Sequence, residues 1–403
     1  MSPARRVSGL AVSPIRRMAV GAPEGTISLA LGEPGWPLPD VAREALAEVG
    51  AAVGALPYGQ NGSRPELVDA VAAWHGRSGT RTVEVRPDQV TVTSGSQAAL
   101  FALFQSHVEV GGTVLVPDPG FVSYLSLAQL CQARAVGYRL ADDWSLDAAH
   151  VVAALDTHPE TSVVVVNHPA NPTGGMATAA ALATVAEACA RRGVVLVSDE
   201  VYRELYLDER PAGLHDVCDI DAGVVLGSVS KAWGAPGLRV GWAVGSPDVL
   251  APARVVHNAM TTAAARPSQD AALALLRASA EVLAEAREHV RRRWATAERV
   301  APRLLGVRSG TTTRPVGVRS GTTTRPVDGG ARAGFYLWLP LPDGIPPQDT
   351  TGFALRLRDE SRVTTVPGDA FGPGGAGWLR VSLGGPLAEL EEGLARLAPW
   401  WKA

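Results

Sequence analysis

The stretch GSVSKAWGAPGLRVGW, residues 227–242, combines a lysine with hydroxyl side chains and an arginine. Ser228 and Lys231 come directly after an apolar run, and Arg239 follows the lysine eight residues later. A lysine held between apolar segments loses its proton readily, and its free amine can form a Schiff base with a carbonyl compound. A single lysine is usually a solvated surface charge, but the neighbouring hydroxyls and arginine favour a reactive amine here.

An acidic residue, Asp199, ends the apolar run GVVLVSD at a position where a carboxylate is normally avoided unless a cation faces it. The protonated ring nitrogen of a bound cofactor would be such a cation, and the carboxylate would keep that proton in place. Tyr202 follows three residues later and could reach the same ligand.

Two turns after other apolar runs carry further polar groups. TSGSQAAL, residues 93–100, places small residues before a helical pattern, and such a turn can direct backbone N–H groups at an anion. NHPANPTG, residues 167–174, contains Asn171, whose amide could donate to a cofactor oxygen. Any strand-to-helix turn can use Ser and Gly, and taken alone the second stretch is better explained as an ordinary Asn-Pro turn.

These residues need a scaffold that brings their turns together. From about residue 83 to 246, seven short β-branched runs alternate with Ala- and Leu-rich helical patterns, which predicts a largely parallel sheet with helices on both faces. A helical stretch at 268–301, extended runs at 334–341 and 378–383 and a last helix at 386–398 predict a smaller α+β domain. The predicted organisation is an N-terminal arm and part of the small domain at 1–45, a large domain at 46–280 and the C-terminal small domain at 281–403.

The composition excludes several functional classes. The 403 residues are 46% hydrophobic and 19% charged, which is typical of a folded globular chain. The net charge of -3 provides no basic surface for nucleic acid or membranes. Three cysteines without a CxxC pair predict neither a disulfide framework nor a metal site, and we expect a cytoplasmic protein.

Taken in order, these motifs resemble those of the class I and II aminotransferases, from about residue 27 to the C-terminus. The NPTG motif at 171–174 and the SxSK motif followed by Arg239 are the most specific. The resemblance implies an α/β, PLP-dependent transferase fold: a large domain with a mostly parallel seven-stranded sheet covered by helices, and a smaller α+β domain. It also implies pyridoxal 5′-phosphate (PLP) as cofactor, a small-molecule amino acid as substrate, and a homodimer with shared active sites.

The resemblance further implies a role for each residue. Lys231 would hold the cofactor as a Schiff base and move protons, while Asp199 would pair with the pyridine nitrogen. Tyr202 and Asn171 would hydrogen-bond the phenolic oxygen. Arg380, in WLRVSL, would grip the substrate α-carboxylate with help from Gly32 and Asn171. The remaining cofactor contacts would be Gly95, Ser96, Gln97, Ser228 and Arg239 at the phosphate, Phe121 stacked on the ring, and Tyr58 reaching the phosphate of the neighbouring subunit.

The leading functional hypothesis is transfer of an amino group between an L-amino acid and a 2-oxo acid. The same residues would also serve β-elimination, β-replacement or cyclisation of an amino acid, as in an enzyme resembling capreomycidine synthase, because a fold does not fix the reaction. A ligand-sensing regulator built on this fold is disfavoured. The resemblance begins near residue 27, which leaves no room for a preceding DNA-binding module.

Five residues depart from the common family pattern, and packing or surface variation is the simpler explanation of each. Together they leave a specialised substrate open. They are Trp36, His168, Ala170, Trp233 and Asp369.

Two further sequence features predict no chemistry. GVRSGTTTRPV occurs twice in tandem, at 306–316 and 317–327, and is best explained as a duplicated surface loop. GPGGAG at 372–377 fits the glycine pattern of dinucleotide-binding turns, but no βαβ unit surrounds it.

Overall fold

The computed structural model of the protein describes residues 4–10, 13–56, 63–79, 81–305 and 333–401. Tyr58 and the tandem repeat at 306–327 lie outside these ranges. The helices in chain order are α1 Pro14–Arg17, α2 Asp40–Ala51, α3 Pro65–Ser78, α4 Ser96–His107, α5 Ser123–Leu130, α6 Ala148–Thr157, α7 Ala179–Arg192, α8 Leu214–Val217, α9 Pro247–Thr261, α10 Arg266–Arg277, α11 Ser279–Val300, α12 Thr350–Ser361 and α13 Leu387–Leu397. The strands are β1 Ile27–Ser28, β2 Val90–Thr93, β3 Thr113–Asp118, β4 Arg134–Arg139, β5 Thr161–Asn167, β6 Val195–Asp199, β7 Val224–Ser228, β8 Gly241–Val244, β9 Tyr336–Pro340, β10 Val363–Thr364, β11 Val366–Pro367 and β12 Trp378–Ser382.

The central sheet contains seven strands in the spatial order β2-β8-β7-β6-β5-β3-β4. Neighbouring strands from β7 to β4 are parallel, whereas β8 runs antiparallel to both β7 and β2. β2 therefore runs in the same direction as the parallel strands, and its carboxyl end reaches the same edge of the sheet. The predicted α/β fold with a mostly parallel seven-stranded sheet is confirmed, and each predicted β-branched run forms one strand.

Both faces of this sheet are covered by helices. In β5, Val163 and Val165 belong to a hydrophobic cluster with residues of α4, α5 and α9. Val164 and Val166 belong to a second cluster with residues of α6 and α7. Because successive strand residues point to opposite faces, a sheet buried on both sides needs apolar residues at every position. This requirement explains the continuous β-branched runs in the sequence.

Local capping fixes where α7 begins and ends. Thr178 precedes α7, and its side-chain oxygen accepts a hydrogen bond from the Ala181 amide at 3.1 Å. Gly193 ends the same helix with a φ of 66°, a left-handed conformation that favours glycine. α7 thus begins and ends where local hydrogen bonding and backbone conformation require.

A smaller antiparallel sheet has the order β11-β12-β9. Arg380 of β12 lies opposite Trp338 of β9, and Tyr336 is two residues before Trp338, so these three side chains share one face. β1, near the N-terminus, pairs in parallel with β10. The helical stretch predicted at 268–301 forms α10 and α11. The domain boundaries near residues 45 and 280 stay a prediction.

No helix within the described ranges is both long and apolar enough to cross a membrane.

Candidate active site

The polar residues selected from the sequence lie at the carboxyl edge of the central sheet. β5, β6 and β7 end at Asn167, Asp199 and Ser228, and β2 and β3 end just before the turns that lead to α4 and α5. Ligands of open α/β sheets bind outside the carboxyl ends of the strands, where the connecting loops create a crevice. The fold therefore assembles these side chains at the edge where a ligand is expected.

Lys231 lies in the loop after β7 and is half-buried. Its Nζ donates a hydrogen bond to the backbone oxygen of Gly32, at 2.5 Å. Burial lowers the pKa of the amine to about 8, and the positive charge of Arg380 acts in the same direction. An amine with this pKa is unprotonated in roughly a tenth of molecules at pH 7, far more often than an ordinary lysine, and this favours a nucleophilic role.

Asp199 is a buried carboxylate that is only partly satisfied by the chain. Its Oδ2 accepts a hydrogen bond of 2.7 Å from the Tyr124 hydroxyl. The Val201 amide lies close enough to favour the charged form, yet Oδ1 makes no hydrogen bond of ordinary geometry to any described residue. Burial raises the pKa of Asp199 to about 6, and the Tyr124 hydrogen bond opposes this change. A buried, unpartnered carboxylate oxygen is costly and indicates a missing donor.

Tyr202, three residues after Asp199, is buried and pairs with another tyrosine. Its hydroxyl lies 2.7 Å from the Tyr336 hydroxyl. Lys231 Nζ is 5.6 Å from the centre of the Tyr202 ring. Burial raises the pKa of the Tyr202 phenol well above its ordinary value. The phenol therefore stays protonated and can donate a hydrogen bond beside the lysine.

Arg380 is completely buried on β12. Its Nη1 donates to Asn171 Oδ1 at 2.8 Å, and its Nη2 donates to the backbone oxygen of Ala30. Its Nε has no hydrogen-bond partner in the described part of the chain. The guanidinium lies over the rings of Tyr336 and Phe371, at 4.6 and 5.0 Å from their centres. A buried cation without a carboxylate partner among the described residues is suited to bind an anionic group of a ligand.

A cradle for an anion forms where β2 meets α4. Gly95 has a φ of 88°, and a Cβ built on it would lie 2.5 Å from Arg239 Nη2, so glycine permits the guanidinium to approach the helix start. The N–H groups at the start of α4, from Ser96 and Gln97, are available to an anion, and the helix dipole favours negative charge there.

The hydroxyls near this cradle differ in their surroundings. Ser228 is buried, and its Oγ lies 2.8 Å from Ser230 Oγ and 3.0 Å from the backbone oxygen of Val240. Ser230 Oγ also accepts a hydrogen bond from Arg239 Nη1, at 3.4 Å. Ser230 is therefore the hydroxyl beside the guanidinium, and the contact of Ser228 with a phosphate stays a prediction. Gln97 has an exposed side chain, whose Oε1 lies 3.5 Å from Ser123 Oγ.

Phe121 contacts Tyr124, the tyrosine that is hydrogen-bonded to the Asp199 carboxylate. The two aromatic rings meet edge to face, with their centres 5.6 Å apart, and Tyr124 donates its hydroxyl proton to Asp199. Phe121 is half-buried, so part of its ring is available to stack on a planar ligand.

These groups match the donor and acceptor pattern of PLP. The unpartnered oxygen of Asp199 fits a protonated ring nitrogen, the Tyr202 phenol fits the phenolic oxygen, and the cradle around Gly95 and Arg239 fits a phosphate. Lys231 would supply an amine for the aldehyde. The residues present therefore fit the cofactor that the resemblance implies.

The atypical tryptophans lie in the hydrophobic core. Trp36 is 8% exposed and packs edge to face on Phe335, and the Arg293 guanidinium is 4.9 Å from its ring centre. Trp233 is 2% exposed, and its ring centre is 4.9 Å from that of Trp74. Their bulk is explained by core packing.

The other atypical residues also make contacts within the chain. His168 is buried with its Nε2 3.0 Å from Ser198 Oγ, and Ala170 is buried as well. Asp369 is exposed and accepts a hydrogen bond from Thr351 Oγ1 at 2.9 Å. These contacts are consistent with packing and surface variation.

Sequence reasoning missed two tyrosines of the site, Tyr124 and Tyr336. Each acts through a partner far away in the chain, so spacing along the sequence gave no signal for it.

The scarcity of lysine is a further sequence signal, and it points to Lys231: the whole sequence has only Lys231 and Lys402. A lysine in a chain so rich in arginine is an informative choice.

The family to which the chain belongs follows from comparison with known sequences. The pattern of the family described as aminotransferase class I and II matches residues 24–397. The chain belongs to this family. It is therefore an enzyme, and the resemblance indicated by the NPTG and SxSK motifs is confirmed.

Individual relatives are similar over almost their whole length. An arginine–pyruvate transaminase of Pseudomonas aeruginosa is 31% identical over 379 residues, which cover 93% of this chain and 90% of the relative. An LL-diaminopimelate aminotransferase of Desulforudis audaxviator is 30% identical over 378 residues, covering 92% and 89%. A solved single mutant of Thermus thermophilus aspartate aminotransferase matches with a TM-score of 0.83 at 27% identity, covering 99% of both chains.

Proposed function

We propose that the protein transfers an amino group between an L-amino acid and a 2-oxo acid, with PLP held by Lys231 as a Schiff base. The observation that carries the proposal is the buried Asp199 carboxylate, whose Oδ1 makes no hydrogen bond of ordinary geometry to the described residues. This oxygen lies at the sheet edge that also holds a lysine of lowered pKa. Membership of the aminotransferase family supports the same assignment.

When bound, PLP acts as an electron sink for the bond that breaks at the substrate α-carbon. Asp199 would hold a proton on the ring nitrogen through its free oxygen. Lys231, whose amine has its pKa lowered to about 8, would act as the general base and acid that moves the proton of the substrate α-carbon. Asp199 is buried and Lys231 is half-buried, which limits competition from water.

Substrate orientation depends on Arg380. Its bonds to Asn171 Oδ1 and Ala30 O fix the plane of the guanidinium, while Nε and the remaining N–H groups can bind an α-carboxylate. Gly32 contributes its backbone close to the lysine. We propose that Arg380 binds the carboxylate and thereby directs the α-hydrogen towards Lys231.

We further propose that the active enzyme is a homodimer in which Tyr58 contacts the phosphate bound to the partner subunit. Tyr58 lies outside the described residues, so the support for this proposal is the resemblance to the family. Light scattering combined with an activity assay tests it, and an active monomer would contradict it.

The function is tested by mixing the PLP-loaded protein with single L-amino acids in the absence of any 2-oxo acid. The names of the relatives suggest L-arginine, LL-diaminopimelate and L-aspartate as the first candidates. We expect one amino acid to convert the cofactor to pyridoxamine phosphate and to yield the matching 2-oxo acid by mass spectrometry. Unchanged PLP together with released ammonia or a cyclised product would instead assign elimination or cyclisation.

A further inference from the structure

Tyr336 contacts three groups of the proposed active site. It lies on β9, is 4% exposed, and its hydroxyl is 2.7 Å from the Tyr202 hydroxyl. The same hydroxyl is 3.5 Å from the Gly32 backbone oxygen, to which Lys231 Nζ donates at 2.5 Å. The Tyr336 ring in turn lies under the Arg380 guanidinium. Tyr336 therefore connects the lysine, the phenol and the arginine of the site.

The neighbouring backbone leaves room for this tyrosine. A Cβ built on Gly32 would overlap the Tyr336 hydroxyl, so only glycine at position 32 lets the phenol occupy its place. Tyr336 and Arg380 lie on the same face of the small sheet because Trp338, two residues after Tyr336, pairs with Arg380. The space left by Gly32 and the register of the small sheet therefore together determine the position of the Tyr336 hydroxyl.

The two phenols share one hydrogen bond, so one of them donates and the other accepts. Gly32 O lies at the outer limit of hydrogen-bond distance from Tyr336 and already accepts from Lys231. If Tyr202 is to donate its own proton to the cofactor, its oxygen must accept the proton of Tyr336. A phenol that accepts a hydrogen bond becomes a stronger donor, because hydrogen bonds in a chain polarise one another.

We propose that Tyr336 is a positioning residue with two separable functions. Its hydroxyl orients and strengthens the Tyr202 phenol as a donor to the phenolic oxygen of PLP, and its ring holds the Arg380 guanidinium in place for the substrate carboxylate. The proposal rests on the proposed function, in which Lys231, Tyr202 and Arg380 act on PLP and an amino acid.

The hydroxyl is tested by the variant Tyr336→Phe. A donor to the phenolic oxygen stabilises its negative charge and favours the unprotonated form of the lysine-bound cofactor, so weakening that donor raises the pKa of the bound cofactor. We expect the midpoint of a spectrophotometric pH titration to rise by about half a unit. The KM for the amino acid should change less than twofold, since Phe keeps the ring.

The ring is tested by Tyr336→Leu and by Phe371→Leu, which removes the second ring that contacts Arg380. We expect each to raise KM about fivefold through loss of a buried cation–π contact. Only Tyr336→Leu should also shift the titration, because Phe371 is not hydrogen-bonded to Tyr202. Tyr138→Phe is the matched control: it removes a buried tyrosine hydroxyl that donates to Val165 O, and we expect the wild-type midpoint and KM.

A measurement on the cofactor-free protein tests the hydrogen bond between the two phenols. If the two phenols share one hydrogen bond, the variants Tyr202→Phe and Tyr336→Phe should each lower the unfolding midpoint, and the double variant should lower it by less than the sum. A wild-type titration midpoint in Tyr336→Phe, or additive stability losses, would overturn the role of the hydroxyl. A wild-type KM in Tyr336→Leu would overturn the role of the ring. A wild-type protein that binds no PLP would refute the proposed function itself, and the inference with it.

Discussion

Asp199 and Glu200 are adjacent in the sequence and each is 7% exposed, yet the chain treats their carboxylates differently. Glu200 accepts hydrogen bonds from Ser198 Oγ and from the Leu214 amide, both at 2.8 Å, and its Oε2 lies 3.3 Å from Arg203 Nη1. Asp199 has one strong donor, Tyr124, and one oxygen without an ordinary hydrogen bond to a described residue. A buried carboxylate whose oxygens are all hydrogen-bonded within the chain is a structural group, whereas one with an unpartnered oxygen is a candidate to bind a ligand.

The pKa values of the two carboxyl groups express the same difference. Burial raises the pKa of Asp199 to about 6. Burial acts on Glu200 as well, but the charge of Arg203 and the hydrogen bonds to the carboxylate together outweigh it and lower the pKa to about 2. Neighbouring residues with equal exposure thus have opposite shifts because only one of them is paired with a cation.

Glu200 belongs to a buried charged cluster that fixes the segment after β6. Arg203 also contacts Asp216 and donates from Nε to the backbone oxygen of Pro211 at 2.9 Å. Arg210 pairs with Glu204 in the same region. This segment carries Tyr202, so we infer that the cluster holds the loop on which the proposed active site depends.

The largest expected effect comes from neutralising each of the two neighbouring carboxylates in turn and comparing the activities of the variants. Asp199→Asn keeps the shape but cannot hold a proton on the ring nitrogen, and we expect kcat to fall by about three orders of magnitude. Glu200→Gln should keep kcat within about tenfold of wild type. Steady-state kinetics of both variants, with PLP occupancy checked by absorbance, provide the measurement. Equal losses in the two variants would remove the functional distinction.

The second effect concerns the free energy of unfolding, for which we expect the Glu200 variant to lose more than the Asp199 variant. Glu200→Gln leaves Arg203 without its full counter-charge, and we expect a loss of about 3 kcal/mol in the free energy of unfolding. Asp199→Asn removes a buried charge that lacks a cation, so the cofactor-free variant should be within about 1 kcal/mol of wild type or more stable. Urea unfolding of the cofactor-free proteins tests this order, and a larger loss in Asp199→Asn contradicts it.

The strands and the order of the site residues could be predicted because each is determined by a short, continuous stretch of sequence. The β-branched runs mark strands covered on both faces; Asp199 ends one of them, and Asn171 and Lys231 follow two others. The hydrogen bonds that orient these groups could not be predicted. Tyr124 is 75 residues from Asp199, and Tyr336 is 134 residues from Tyr202. Only the tertiary fold, which places α5 beside the end of β6 and β9 beside the segment that carries Tyr202, brings these pairs together.

The third effect is a pair of opposite pH dependences in the cofactor-free protein. The raised pKa of Asp199, about 6 against an ordinary 3.8, means that its contribution to stability falls as the pH rises from about 4 to about 6. The lowered pKa of Glu200, about 2 against 4.5, means that its contribution is complete above about 4.5 and is lost as the pH falls towards 2.

These contributions are measured as differences in the free energy of unfolding between wild type and each variant from pH 3 to 8. The difference between wild type and Asp199→Asn should decrease with rising pH. The difference between wild type and Glu200→Gln should increase over the lower part of the range. Two differences with the same sign of slope would show that the carboxylates are not distinguished as described.

The smallest effect comes from the single strong donor to Asp199. Tyr124→Phe removes the hydrogen bond to Oδ2, and we expect PLP affinity to fall about tenfold while the fold is kept. Tyr138→Phe removes an equally buried hydroxyl that donates to a backbone oxygen instead, and it should leave PLP affinity unchanged. Fluorescence titration with PLP measures both. Equal affinities in the two variants would show that Tyr124 does not support Asp199.

The central claim is that this sheet edge holds PLP through Lys231, and the sequence makes it directly testable because Lys402 is the only other lysine. The PLP-loaded protein is reduced with sodium borohydride, which adds hydride to an imine and fixes the cofactor as a stable amine, and is then digested and mapped by mass spectrometry. Lys402→Arg serves as the control and should be labelled like wild type, whereas Lys231→Ala should lose the label. The account predicts the pyridoxyl group on Lys231. A protein labelled only at Lys402 or at the N-terminal amine, or not labelled at all, would contradict it.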